Sequence, residues 1–168
     1  MATLRELAAV HEAGHVLAAL ANGSQVGPVS IGPRGGGVTR IRSSYLARTS
    51  VNAYALQRLS GAAAEAVLLG LGHLGFSEVS RRCEGAAVDF SRARARVGLG
   101  ADAFLAREWP RVVAFVRRRW GAVEALASAL EREGTIDGSR ALEIVRAASG
   151  DERGQTRRID GQFRAQFR

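Results

Sequence analysis

Apolar residues first recur at helical spacing, with Leu4, Leu7, Val10, Val16, Leu17 and Leu20 forming one stripe that predicts an amphipathic helix. Thr3 followed by Glu6 has the form of a capping box at its start, and Asn22-Gly23 supplies a stop. Val26 to Gly32 and Gly37 to Arg42 read as short strands joined by the turn-rich Pro33-Arg34-Gly35-Gly36, so a small hairpin is expected beside the first helix. Val51 to Leu71 is a long apolar helix ending in the loop Gly70-Leu71-Gly72-His73-Leu74-Gly75. Gly85 opens another helix, closed by Gly98-Leu99-Gly100. Pro110 is placed at the first turn of the next, which runs to about Glu133. Its core stripe is Trp109, Val112, Val113, Val116, Trp120, Val123, Leu126 and Leu130. Asp137-Gly138-Ser139 starts a last helix ending near Gly150. The pattern predicts one α+β domain over residues 1–150, mainly helical with a small sheet. Residues 151–168 are polar and Arg-rich, a basic C-terminal tail expected to be mobile or to dock on a partner.

Chemistry enters on the first helix. His11-Glu12-Ala13-Gly14-His15 has the H-E-x-x-H spacing. At about 100° per residue, positions four apart lie one turn above each other, so both imidazoles can meet one metal ion from one face. Glu12 falls beside them, where a carboxylate can take a proton from a metal-bound water whose pKa is lowered towards ~7. Two satisfied core histidines are the bland reading, but the chain has only three histidines, which makes this placement a poor accident. A catalytic zinc normally takes three protein ligands and leaves a fourth position for water. Ala18 and Ala21 exclude the extended form of the motif with a third histidine six residues past His15. Glu65, His73, Glu78, Glu84 and Asp89 remain as candidates, and spacing does not choose among them.

That motif and three further blocks carry a resemblance. Val10 to His15, Val29-Ser30-Ile31-Gly32-Pro33-Arg34-Gly35, Leu59-Ser60-Gly61-Ala62-Ala63-Ala64-Glu65 and Gly85-Ala86-Ala87-Val88-Asp89 resemble, in order, the peptidase domain of the FtsH-type zinc metalloproteases. Ala125 to Gly138 is similar to that domain's closing helices, so the likeness spans about residues 5 to 148. The resemblance implies a zincin-like peptidase fold with the small sheet beside the catalytic helix. It also implies zinc held by His11, His15 and Asp89, with Glu12 as general base. Glu65 would accept an N–H from a ligating histidine and fix its tautomer. Without the family, Asp89 reads as a helix carboxylate pairing with Arg92; Glu65, a lone carboxylate in the apolar run Leu59 to Leu71, should have a partner, the alternative being a carboxylate that faces solvent. An extended polypeptide substrate would lie along the edge strand at Gly37, Val38, Thr39 and Arg40. The chain departs from the family at Ala62, where an arginine is expected, at Ala66, where a second acid is expected, and at Arg82-Cys83-Glu84, where threonines usually stand.

The family's ATPase module is also missing, since a chain without lysine cannot carry a Gly-x-x-x-x-Gly-Lys-Ser/Thr phosphate loop. A separate ATPase or adaptor is therefore the partner the resemblance implies. The net charge of +8 raises the question of nucleic acid. Basic residues are spread along the whole chain, however, and Arg117-Arg118-Arg119 flanks a core stripe, so a solvated helix face and no specific nucleic-acid binding are expected. No stretch approaches the ~20 apolar residues of a membrane span, no signal segment is evident, and a single cysteine excludes an internal disulfide. A soluble cytoplasmic protein is expected, with Cys83 incidental. These readings converge on a zinc-dependent endopeptidase acting on unfolded chains without ATP. The rivals are an inactive zinc-containing adaptor and an Arg-rich nucleic-acid binder. Glu12 argues against the adaptor, because a structural zinc needs no base.

Overall fold

The computed structural model describes residues 2–41, 50–83 and 86–149. They form α1 (Leu4–Ala21), β1 (Val26–Ile31), β2 (Gly37–Ile41), α2 (Val51–Leu68), α3 (Phe76–Arg82), α4 (Ala87–Val97), α5 (Ala101–Arg118), α6 (Trp120–Glu133), β3 (Thr135–Ile136) and α7 (Gly138–Ala148). The architecture is α+β and mainly helical, with an antiparallel sheet of order β2-β1-β3. Among the described residues, no helix is long and apolar enough to cross a membrane.

α1 is the centre of the molecule. Its start is a full capping box, in which Thr3 Oγ1 accepts from the Glu6 N–H at 3.1 Å and Glu6 Oε2 accepts from the Thr3 N–H at 3.3 Å. From Ala9 to Ala19 every residue is buried, because α2, α6 and the sheet pack around it. Burial on all sides is possible because small residues let neighbours come close. A Cβ on Gly14 would stand 2.3 Å from the Ser60 carbonyl oxygen, so the α1–α2 crossing has no room for any side chain there. The facing turn of α2, Ala62-Ala63-Ala64, is fully buried as well.

The sheet covers a third side of α1. β1 pairs with β2 in the register Val29 to Thr39, Ser30 to Val38 and Ile31 to Gly37, and with β3 through Val29 to Ile136. Val29 and Ile31 turn into the core, while Gly37 and Val38 are exposed. Among the described residues β2 pairs with β1 alone, which makes it an edge strand next to α1.

Several elements differ from the sequence expectation. Pro110 does not open a helix; it lies inside α5, which begins at Ala101. Proline there gives up one backbone hydrogen bond, and burial of Trp109, Val112, Val113 and Val116 around it holds the helix together. The run expected to continue to Glu133 is broken at Arg119, whose backbone leaves helical geometry at φ −121°, ψ 23°, so α5 and α6 are separate helices. The apolar stripe passes through the break in phase and hid it. α2 stops at Leu68 rather than Leu71, and Leu4 is exposed rather than part of the stripe. α3 and β3, seven and two residues long, were not anticipated. Arg42 as a strand end, Gly85 as a helix start, Gly150 and the 151–168 tail lie outside the described residues.

Candidate metal centre

Both histidines of the α1 motif project to one side, where the first turn of α4 brings Asp89 to meet them. His11 Nε2, His15 Nε2 and Asp89 Oδ2 form a triangle with sides of 2.9, 3.0 and 2.9 Å. All three residues are buried. Asp89 sits where the helix dipole of α4 favours a carboxylate. Its partners are the two histidines and Arg58, not Arg92.

The hydrogen bonds behind the triangle fix what these atoms are. His15 Nδ1 lies 2.7 Å from the Gln57 carbonyl oxygen, which can only accept, so the proton of the neutral ring is on Nδ1 and Nε2 carries the lone pair. His11 Nδ1 lies 2.5 Å from Glu65 Oε1, which by the same reasoning leaves a lone pair on its Nε2. Two imidazole lone pairs and a carboxylate oxygen thus face one another at hydrogen-bond distance with no proton to share among them. Such a set calls for a cation. A triangle of this size lets one ion bonded at about 2.0–2.1 Å reach all three atoms. The group could therefore hold a metal ion.

Without a metal, a proton fills the same need. Burial works against charge on His11, but hydrogen bonds to Asp89 and Glu65 and the nearby Glu65 and Glu12 carboxylates outweigh it and raise its pKa to about 10. Burial likewise opposes ionisation of Asp89, yet hydrogen bonds to His11 and His15 hold its carboxyl far below the usual range. The site is thus built to keep positive charge between these side chains.

Glu12 is buried next to the triangle. Thr39 on β2 donates its hydroxyl to Glu12 Oε2 at 2.5 Å, tying the carboxylate to the edge strand. Gly37 completes this seat, since a Cβ there would come within 2.6 Å of Glu12 Oε1. Gly61 does the same for His11: a Cβ on it would lie 2.7 Å from His11 Nε2, so only glycine lets α2 run past the imidazole.

These groups share one cleft of about 730 Å³, lined by His11, Glu12, His15, Glu65 and Asp89 and by Gly37, Val38 and Thr39 of the edge strand. Arg40 is not on its lining, and its Cβ faces Gly27 instead. The other candidate ligands fall elsewhere. His73 is an exposed loop residue bonded to the Gly70 carbonyl, and Glu78 pairs with Arg81 and Arg82 on α3. Glu84 lies outside the described residues. Cys83 reaches the cleft, but burial, with a smaller push from Glu65, lifts its thiol to about 11, and a protonated thiol is a poor nucleophile.

Two contributors escaped the sequence reading. Gln57 acts through its backbone carbonyl, which leaves no mark on the sequence. Arg58 donates from Nη1 to Asp89 Oδ1 at 3.0 Å. Its signal was there, because Arg58 lies seven residues before Glu65, two helical turns away on one face, and these two are the only charged residues of the helix Val51–Leu68. α2 therefore supplies the outer contact of all three side chains of the triangle. The chain matches no protein-family model, and a search of curated proteins returns no similar sequence.

Proposed function

We propose that this protein is a zinc-dependent endopeptidase that cleaves extended, unfolded polypeptide. The observation that carries the reading is the convergence of three buried acceptor atoms with a seated carboxylate, Glu12, in a cleft bordered by an edge strand. The motifs that resemble the FtsH-type zinc metalloproteases agree with it, and the resemblance rests on those motifs alone. Zinc suits two imidazoles and one carboxylate, which leave a fourth position for solvent or substrate.

A zinc ion at this site would supply the positive charge that acidifies a water and polarises the scissile carbonyl. Glu12 would receive the proton of the attacking water on Oε1, which has no hydrogen-bond partner among the described residues, while Thr39 holds Oε2. The protonated carboxyl would then hand that proton to the leaving amine. His11 and His15 are kept in the ligating tautomer by Glu65 and the Gln57 carbonyl. Substrate would add as a strand along Gly37 to Thr39, using backbone hydrogen bonds that are indifferent to sequence but demand an extended chain. Folded proteins would resist cleavage, and no ATP would be needed for flexible ones.

The test is digestion of a casein-type unfolded protein by zinc-loaded protein, with and without chelator. Cleavage that stops with chelator and returns with zinc supports the reading. No cleavage by zinc-loaded protein, or cleavage untouched by chelation, overturns it.

A further inference from the structure

Asp89 uses its two oxygens differently. Oδ2 faces His11 Nε2 and His15 Nε2 at 3.0 and 2.9 Å, whereas Oδ1 accepts from Arg58 Nη1 at 3.0 Å. The arginine is held for this purpose. Its guanidinium lies 5.3 Å from the centroid of the Tyr54 ring, one turn earlier on α2, and its Nε is buried without a partner among the described residues. A guanidinium placed for its own satisfaction would not leave a buried donor unpaired, because that costs a hydrogen bond. Its pose is set by Tyr54 on its own helix and by Asp89 of α4, to which Nη1 donates.

We propose that Arg58 is a positioning residue that makes Asp89 a one-oxygen ligand, holding Oδ1 away so that Oδ2 alone joins the two Nε2 atoms. The inference rests on the metal-centre reading above. Carboxylates bind metals through one oxygen or two. With Oδ1 released, the Asp89 carboxylate is free to turn and offer both oxygens, filling the position that a hydrolytic centre keeps open for water. Arg58 prevents this by charge and direction together, since a guanidinium donates in a fixed plane.

The experiment compares wild type with Arg58→Met, which keeps an unbranched apolar stem without a donor, and Arg58→Lys, which keeps the charge. Cobalt replaces zinc as a coloured probe of coordination. Wild type is expected to show the intense visible bands of four-coordinate cobalt. Arg58→Met should bind cobalt with the weaker bands of a higher coordination number and lose about 10–100-fold in zinc affinity, as measured against a competing chelator. Arg58→Lys should recover part of both. An Arg58→Met spectrum and affinity equal to wild type would overturn the proposal.

Should Arg58→Met fail to fold, X-ray absorption on the zinc-loaded wild type decides the question. Four nitrogen and oxygen neighbours support a one-oxygen Asp89, and a fifth from its second oxygen contradicts it. If wild type binds no metal, the centre and this inference fall together. If it binds four-coordinate metal and cleaves nothing, only the peptidase reading falls.

Discussion

The α1–α2 crossing and the two helices laid outside it, α5 against α2 and α6 against α1, are all buried helix packing, yet they are built from opposite materials. At α1–α2 the chain spends glycine and alanine, Gly14, Gly61 and Ala62 to Ala64, and encloses His11, Glu12, His15 and Glu65, with Asp89 of α4 completing the group. Along α5 and α6 it buries Leu105, Trp109, Phe115, Leu126 and Leu130, with Arg107, Arg111, Arg117 and Arg118 exposed and Arg119 half-buried over the Phe115 ring. Small residues bring backbones close enough for their carbonyls and short side chains to satisfy buried polar groups, as the Gln57 carbonyl does for His15. Large apolar residues yield more hydrophobic free energy, and Glu108, a charged side chain buried among them, is paired with Arg107 and Arg111 at the surface. One region holds the buried polar group, and the other packs large apolar side chains against the helices that carry it.

Substitutions should separate the two. The largest change is expected from Trp109→Ala in the apolar region, which should cost about 3–5 kcal/mol in denaturant unfolding while the protein that remains folded binds its metal normally. Loss of metal affinity in proportion to stability would erase the distinction. Glu12→Gln should do the reverse, lowering kcat by about 10²–10⁴-fold with metal content and Tm held, because the amide keeps the shape of the carboxylate and loses the base. Gly61→Ala falls between them: overpacking against His11 Nε2 should cost about 1–3 kcal/mol and weaken metal binding in titrations. The smallest effect is expected from Arg118→Gln on the exposed face of α5, within about 0.5 kcal/mol of wild type and with unchanged cleavage. A larger loss there would give the arginine cluster a role that its placement does not suggest.

What could be read from the sequence divides along the same line. The pair His11 and His15, with Glu12 between them, was legible because four-residue spacing on a helix is a local fact. Asp89 lies 74 residues from His15, and nothing local distinguishes it from Glu78 or Glu84; only resemblance singled it out, and only the fold shows it against the imidazoles. Gly61 reads as a weak helix residue until the ring of His11 is placed beside it. Thr39 was anticipated as part of a substrate edge, whereas its hydroxyl is committed to Glu12. In the apolar region the stripe from Trp109 to Leu130 gave the buried face correctly but not the break at Arg119, because periodicity reports which side is buried and not whether the backbone is continuous. β3 was missed because two residues carry no period at all.

Metal stoichiometry measured on purified, zinc-equilibrated protein tests the central claim most directly, with wild type set beside His15→Ala and Asp89→Ala. Three facing acceptor atoms should hold about one zinc per chain, as a three-ligand site does, and each substitution should abolish or sharply weaken that binding while the protein stays folded. Wild type with no zinc, or Asp89→Ala with full occupancy at undiminished affinity, would contradict the account.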